Sequence, residues 1–182
     1  MKQKYSFFPF AFIFMVVFLI FSSCKKVTYH QITKEEEQLW MPYSKNNEIK
    51  FANSLGDVDT FKVIYRVKGY RNGYNEFIDA PIDKVTDTIG GEDKRGGVYM
   101  YKDGSGLSVK VRLPHFHELR EITTLPMNFA FVNGTSYGDV FIMAANPFYL
   151  DYDSSIDTMY YSQSAGFIKY VDKDGIDWDI TN

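Results

Sequence analysis

Cysteine is nearly absent from this chain: its 182 residues contain one, Cys24. No disulfide can therefore form within the chain, and packing must hold the fold. Histidine is also scarce, with His30, His115 and His117 the only three. There is no Gly-x-Ser-x-Gly elbow and no Rossmann or phosphate-loop glycine pattern, and Gly104-Ser105-Gly106 is too short for either. A basic surplus is missing too: the formal net charge is −3, which argues against a nucleic-acid partner, since such a partner wants a basic face. Long apolar runs are absent apart from one at the start.

That run is Phe7 to Phe21, 15 residues interrupted only by Pro9. It follows the positive Lys2 and Lys4 and precedes the small Ser22 and Ser23. A spanning helix needs about 20 apolar residues, so the run is short for one. Charged start, length and small residues instead predict a secretory signal peptide over residues 1–23. A lone thiol directly after it is an odd leftover in an exported protein. Phe21-Ser22-Ser23-Cys24 resembles a bacterial lipobox, with phenylalanine where leucine is commonest. The resemblance implies that Cys24 becomes the first mature residue and carries acyl chains, which anchor the protein to a membrane. Each buried methylene adds about 0.8 kcal/mol to such an anchor.

Removing 23 residues from 182 leaves 159, enough for one domain with a real core. Loss of Lys2 and Lys4 and of no acid takes the charge from −3 to −5. The mature part keeps 9 phenylalanines, 13 tyrosines and 2 tryptophans, a composition that favours sheet. Residues 24–33 read as the lipidated cysteine and a short tether, and 34–182 as the domain. Lys25 and Lys26 either touch anionic headgroups, at about 1 kcal/mol each near such a surface, or are plain solvated charges. Thr33 and Glu36 have capping-box spacing, which predicts one short helical turn through Glu37.

Beyond it the pattern is all-β. Ile49 and Phe51 alternate within Glu48–Ala52, and Asn53 to Asp57 reads as a turn. Thr60 to Lys68 alternates most clearly, with Phe61, Val63, Tyr65 and Val67 on one face. These two strands are expected to form a hairpin. Arg71-Asn72-Gly73 predicts a turn before a strand over Tyr74 to Asp79. Val85 to Ile89 is strand-like, and the glycine pairs around Glu92-Asp93-Lys94-Arg95 predict an exposed loop. Further hairpins are expected at Val98–Tyr101 with Leu107–Leu113, at Phe129–Val132 with Val140–Met143 about Asn133-Gly134, and at Phe167–Val171 with Ile176–Ile180. The expectation is a single antiparallel domain of roughly eight to ten strands, a barrel or a sandwich, with at most one short helix near the mature N-terminus.

Two segments carry a family resemblance. Trp40-Met41-Pro42-Tyr43, Ile49 to Asp57 and Thr60-Phe61 resemble the opening of small uncharacterised outer-membrane lipoproteins of Bacteroidetes type. Tyr160-Tyr161-Ser162, Gly166 to Tyr170, Asp174-Gly175 and Trp178 are similar to their ending. The resemblance implies an anchored, envelope-facing β-domain and carries no chemistry. In such bacteria acidic residues soon after the lipidated cysteine often mark export to the surface. Lys25 and Lys26 in those places imply the periplasmic face of the outer membrane.

Candidate chemistry is thin. His115 and His117 point the same way on a strand, so both imidazoles fit one ion, with Glu118 or Glu121 as an oxygen ligand. A zinc site wants three or four protein ligands, however, and Pro114 favours a loop. Asp172, Asp174, Asp177 and Asp179 suggest calcium, but the glycine of an EF-hand loop is sixth and here Gly175 is fourth. Asp151, Asp153 and Asp157 read as a solvated loop. Asn133-Gly134-Thr135 fits a glycosylation sequon, which a bacterial lipoprotein makes moot. No catalytic residue, metal or cofactor is assigned.

Three functions follow as expectations. The first is a non-enzymatic interaction or structural lipoprotein of the envelope, with a protein or glycan partner and an exposed aromatic patch. The second is a carrier of a lipid or other apolar molecule, in which Phe61, Val63, Tyr65, Val109 and Val111 line a barrel cavity. The third is a hydrolase with two facing carboxylates, one raised in pKa by burial.

Overall fold

The computed structural model of the protein describes residues 27–85, 95–116, 118–123, 125, 127–146 and 156–181. The expected signal peptide over residues 1–23, with Cys24, Lys25 and Lys26, lies outside the described residues. So do the expected strand beyond Val85, the charged loop before Arg95, His117, and Asp151 to Asp153.

One helix opens the domain. Helix α1, Lys34–Trp40, is capped by Thr33, whose hydroxyl accepts from the Glu36 N–H while the Glu36 carboxylate accepts from the Thr33 N–H. The capping box is present as its spacing predicts, and the helix runs past Glu37 to Trp40.

Twelve strands follow: β1 Glu48–Asn53, β2 Val58–Val63, β3 Val67–Arg71, β4 Asn75–Lys84, β5 Gly96–Asp103, β6 Gly106–Arg112, β7 Arg120–Glu121, β8 Asn128–Val132, β9 Thr135–Ala144, β10 Ile156–Ser162, β11 Gly166–Asp172 and β12 Asp177–Thr181. They form one antiparallel sheet in the order β7-β6-β5-β4-β2-β1-β12-β11-β10-β9-β8, curled into a half-barrel. Strand β3 continues the line of β2 along β4. Edges β7 and β8 do not pair with each other among the described residues. The architecture is all-β and antiparallel as expected; among the described residues it is one sheet curled into a half-barrel, with neither closure into a full barrel nor a second sheet. It also has more strands than expected. Strand β10, Ile-Asp-Thr-Met-Tyr-Tyr-Ser, lacks clean alternation, and β7 is only two residues long.

All five glycine-marked turns join antiparallel neighbours where expected. Asn72 and Gly73 (φ 55° and 78°), like Asn133 and Gly134 (47° and 78°), take the paired left-handed conformation of a type I′ turn. The stretch Thr60 to Lys68 departs from expectation. The register shifts between Val63↔Ile82 and Val67↔Asp79, so one extra residue bulges out over Ile64 to Arg66. Opposite the bulge lies Pro81, which has no N–H to give the ladder. A one-residue slip moves side chains to the other face. Phe61 and Val63 are buried, whereas Tyr65 and Val67 are exposed.

The main core fills the concave face with Phe51, Phe61, Met100, Val109, Val111, Tyr161 and Phe167 among others. The N-terminal segment packs across it. The residues expected as a tether lie against the sheet: His30 donates its N–H to Tyr74 and accepts from the Glu76 N–H, and Ile32 is buried with its N–H on the Glu76 carboxylate. Helix α1 then pairs Glu36 with Lys102, and Glu37 with Arg66 and Lys68. Met41 and Tyr43 complete the lid, and the Trp40 carbonyl accepts from the Tyr161 hydroxyl. A smaller cluster, Val132, Val140 and Ile168, packs apart from this core.

Candidate functional site

Register fixes which residues share an end of the sheet. The β3–β4 turn at Asn72-Gly73 and the β5–β6 turn at Gly104-Ser105 lie at one end, with His30 beside Gly104. The start of β2, the end of β4, the residues after β6, the start of β10 and the β11–β12 turn lie at the other. A cavity of about 120 Å³ opens there, lined by Asp59, Phe61, Lys84, Pro114, His115, Ile156, Tyr170, Asp172 and Trp178.

Aromatic packing builds its wall. Phe51, Phe61 and Tyr170 meet edge to face, with centroids 5.1 to 6.1 Å apart. Trp178 stacks on Tyr170 at 5.5 Å and 9°. Alternation along β12 predicts Trp178 on the apolar side, and the Tyr170↔Trp178 pairing makes the stack.

Polar groups sit on that wall in two sets. Asp59 accepts from Lys84 Nζ at 2.7 Å and from the Tyr170 hydroxyl at 2.6 Å. Lys84 also lies over the Phe61 ring at 5.9 Å. Burial, then the hydrogen bond and charge of Asp59, push the Tyr170 hydroxyl far above its ordinary value, so it stays a donor. Asp172 forms the second set. It accepts from Trp178 Nε1 at 3.0 Å and from the N–H groups of Asp174 and Ile176 at 2.9 Å each. Burial opposes its ionisation, but these bonds outweigh it and hold the carboxyl below its usual range.

The cavity gathers one residue from each of the two constellations read from the sequence. His115 lines it from a turn, at φ 64°, and not from a strand. His117 lies outside the described residues. Among the calcium candidates only Asp172 lines the cavity. Asp177 and Asp179 turn to Lys169, at 2.8 and 3.8 Å. No group of three or more metal-ligating side chains is assembled among the described residues. The sequence does not point to Asp59, Lys84 and Tyr170 as a group, since they come from three different strands.

A second, wider groove of about 420 Å³ runs along Glu118 to Glu121 and Ile142 to Ala144, where Arg120 donates to the Ala144 carbonyl at 3.1 Å. Asp79, whose carboxyl is pushed up by burial, lines neither site. No helix among the described residues is long and apolar enough to cross a membrane. Comparison with family models, with curated proteins and with solved structures finds no match to the chain.

Proposed function

We propose that the protein is a lipoprotein of the bacterial cell envelope, held through acylated Cys24 at the periplasmic face of the outer membrane, that acts by binding and not by catalysis. Its kinship is with the small Bacteroidetes-type lipoproteins whose ends it resembles. The observation that carries the reading is the docking of the N-terminal segment. Chain ordered against the sheet begins within a few residues of Cys24, at His30 and Ile32, as suits a domain carried close on a membrane surface. The cavity's acids favour binding over acid–base work. Asp59 is engaged by Lys84 and Tyr170, and Asp172 is held ionised by Trp178 and its own turn.

The test is metabolic labelling with an alkyne fatty acid in the host, followed by membrane fractionation. The label is expected on the wild type in the outer-membrane fraction. Cys24→Ala is expected to lose the label and leave the domain soluble or its precursor unprocessed. Unlabelled, soluble wild type would refute the anchor.

A second reading, a small-ligand carrier, is favoured by the cavity beside Trp178. At about 120 Å³ it lies below the roughly 300 Å³ at which drug-sized pockets begin, so it suits a small polar ligand better than an acyl chain. Of the residues expected to line a carrier's interior, Val63, Val109 and Val111 are packed into the core and Tyr65 is exposed; Phe61 reaches the cavity. Native mass spectrometry of protein purified from its own host decides this reading: a persistent extra mass supports it, and a bare chain opposes it.

A further inference from the structure

We infer that the end of the domain bearing the β3–β4 turn is a membrane-interface seat: Tyr29, Tyr70 and Tyr74 enter the headgroup layer that surrounds the Cys24 anchor, and the cavity end points away. The inference rests on the anchor reading above and adds a contact surface and an orientation to it.

Three observations converge. The first is exposure. Val27, Tyr29, Tyr70 and Tyr74 are 56, 62, 46 and 39% exposed, although all four are apolar or aromatic. The second is grouping. The Tyr29 and Tyr70 rings meet edge to face at 6.4 Å, and the Tyr74 carbonyl accepts from His30, the residue after Tyr29. A docked strand segment thus holds the rings together at one end of the sheet. The third is reach. From Cys24 to Val27 is three peptide steps, at most about 11 Å of chain, so acyl chains on Cys24 bring this end, and no other, to the membrane surface.

Tyrosine suits that place because it presents an apolar ring and a polar hydroxyl, and it is enriched where hydrocarbon meets headgroups. Strand β4 spans the domain from this end to Lys84, ten residues or about 30 Å, which sets the cavity's distance from the seat.

The test uses the full chain, acylated in bacterial cells and reconstituted into phosphatidylethanolamine–phosphatidylglycerol vesicles. Acylation consumes the one native thiol, so a fluorophore can be placed at Arg71→Cys beside the turn or at Lys173→Cys at the far end. The Arg71→Cys probe is expected to be quenched by lipids brominated near the headgroup and shielded severalfold from aqueous iodide. The Lys173→Cys probe is expected to show the reverse. Tyr29→Ser with Tyr70→Ser should abolish the lipid quenching while the protein still floats with the vesicles. Vesicle-bound protein with equal iodide quenching at both positions overturns the seat but leaves the anchor standing. Unchanged lipid quenching in the double variant removes the tyrosines from the seat. Protein that fails to float refutes the anchor, and the seat with it.

Discussion

Gly166 takes φ 83°, and a Cβ there would collide with the Tyr43 ring, whose hydroxyl accepts from the Phe167 N–H. One contact therefore ties the N-terminal segment to the β10–β11 turn. Gly166→Ala combines about 1–2 kcal/mol of left-handed backbone strain with that collision, so a loss of at least about 2 kcal/mol is expected in urea unfolding. Tyr43→Phe keeps the ring but orphans a buried N–H, for an expected loss of about 1–3 kcal/mol. Asp172 sets a pH dependence. Its folded pKa lies below its unfolded value of about 3.9, so the contribution is complete above that value and disappears as pH falls through the folded pKa. Asp172→Asn should therefore destabilise at pH 7, and its deficit should shrink towards pH 2 in parallel thermal melts of the two proteins.

At the scale of elements, the N-terminal segment behaves as part of the fold. Ile32→Ala opens a cavity beneath it and should cost about 2–4 kcal/mol, whereas Thr33→Ala, which removes only the cap, should cost about 1 kcal/mol. Equal and negligible losses in denaturant titrations would mean that this segment is a free tether. Its docking was not legible in the sequence because Ile32 stands alone among polar neighbours, with no period to follow. The hairpins at Asn72-Gly73 and Asn133-Gly134 were legible because a type I′ turn depends on its own two residues. The break after Val63 was not, because its cause is Pro81 on the partner strand. The cavity escaped for the same reason: Asp59, Lys84, Tyr170, Asp172 and Trp178 come from four strands and meet only through register.

For the whole molecule, alternation specified a single-faced sheet but not its closure, since a barrel, a sandwich and an open curl share one pattern. Openness has a consequence at β8. This edge strand carries Phe129 and Phe131, each 69% exposed, on one face. Antiparallel edges with exposed aromatics template pairing with other chains, and soluble proteins usually blunt them with lysine or proline. Neither residue occurs in Asn128–Val132. In the proposed lipoprotein, anchoring limits how two such edges can meet; in solution that restraint is gone. A form that begins at Lys25, without the leading apolar run and without acyl chains, should therefore self-associate as its concentration rises in sedimentation velocity. Phe129→Lys with Phe131→Lys should keep it monomeric, with stability changed by less than about 0.5 kcal/mol per site, because neither ring is part of the core. If the parent stays monomeric at high concentration, then the curl of the sheet, and not its side chains, protects this edge.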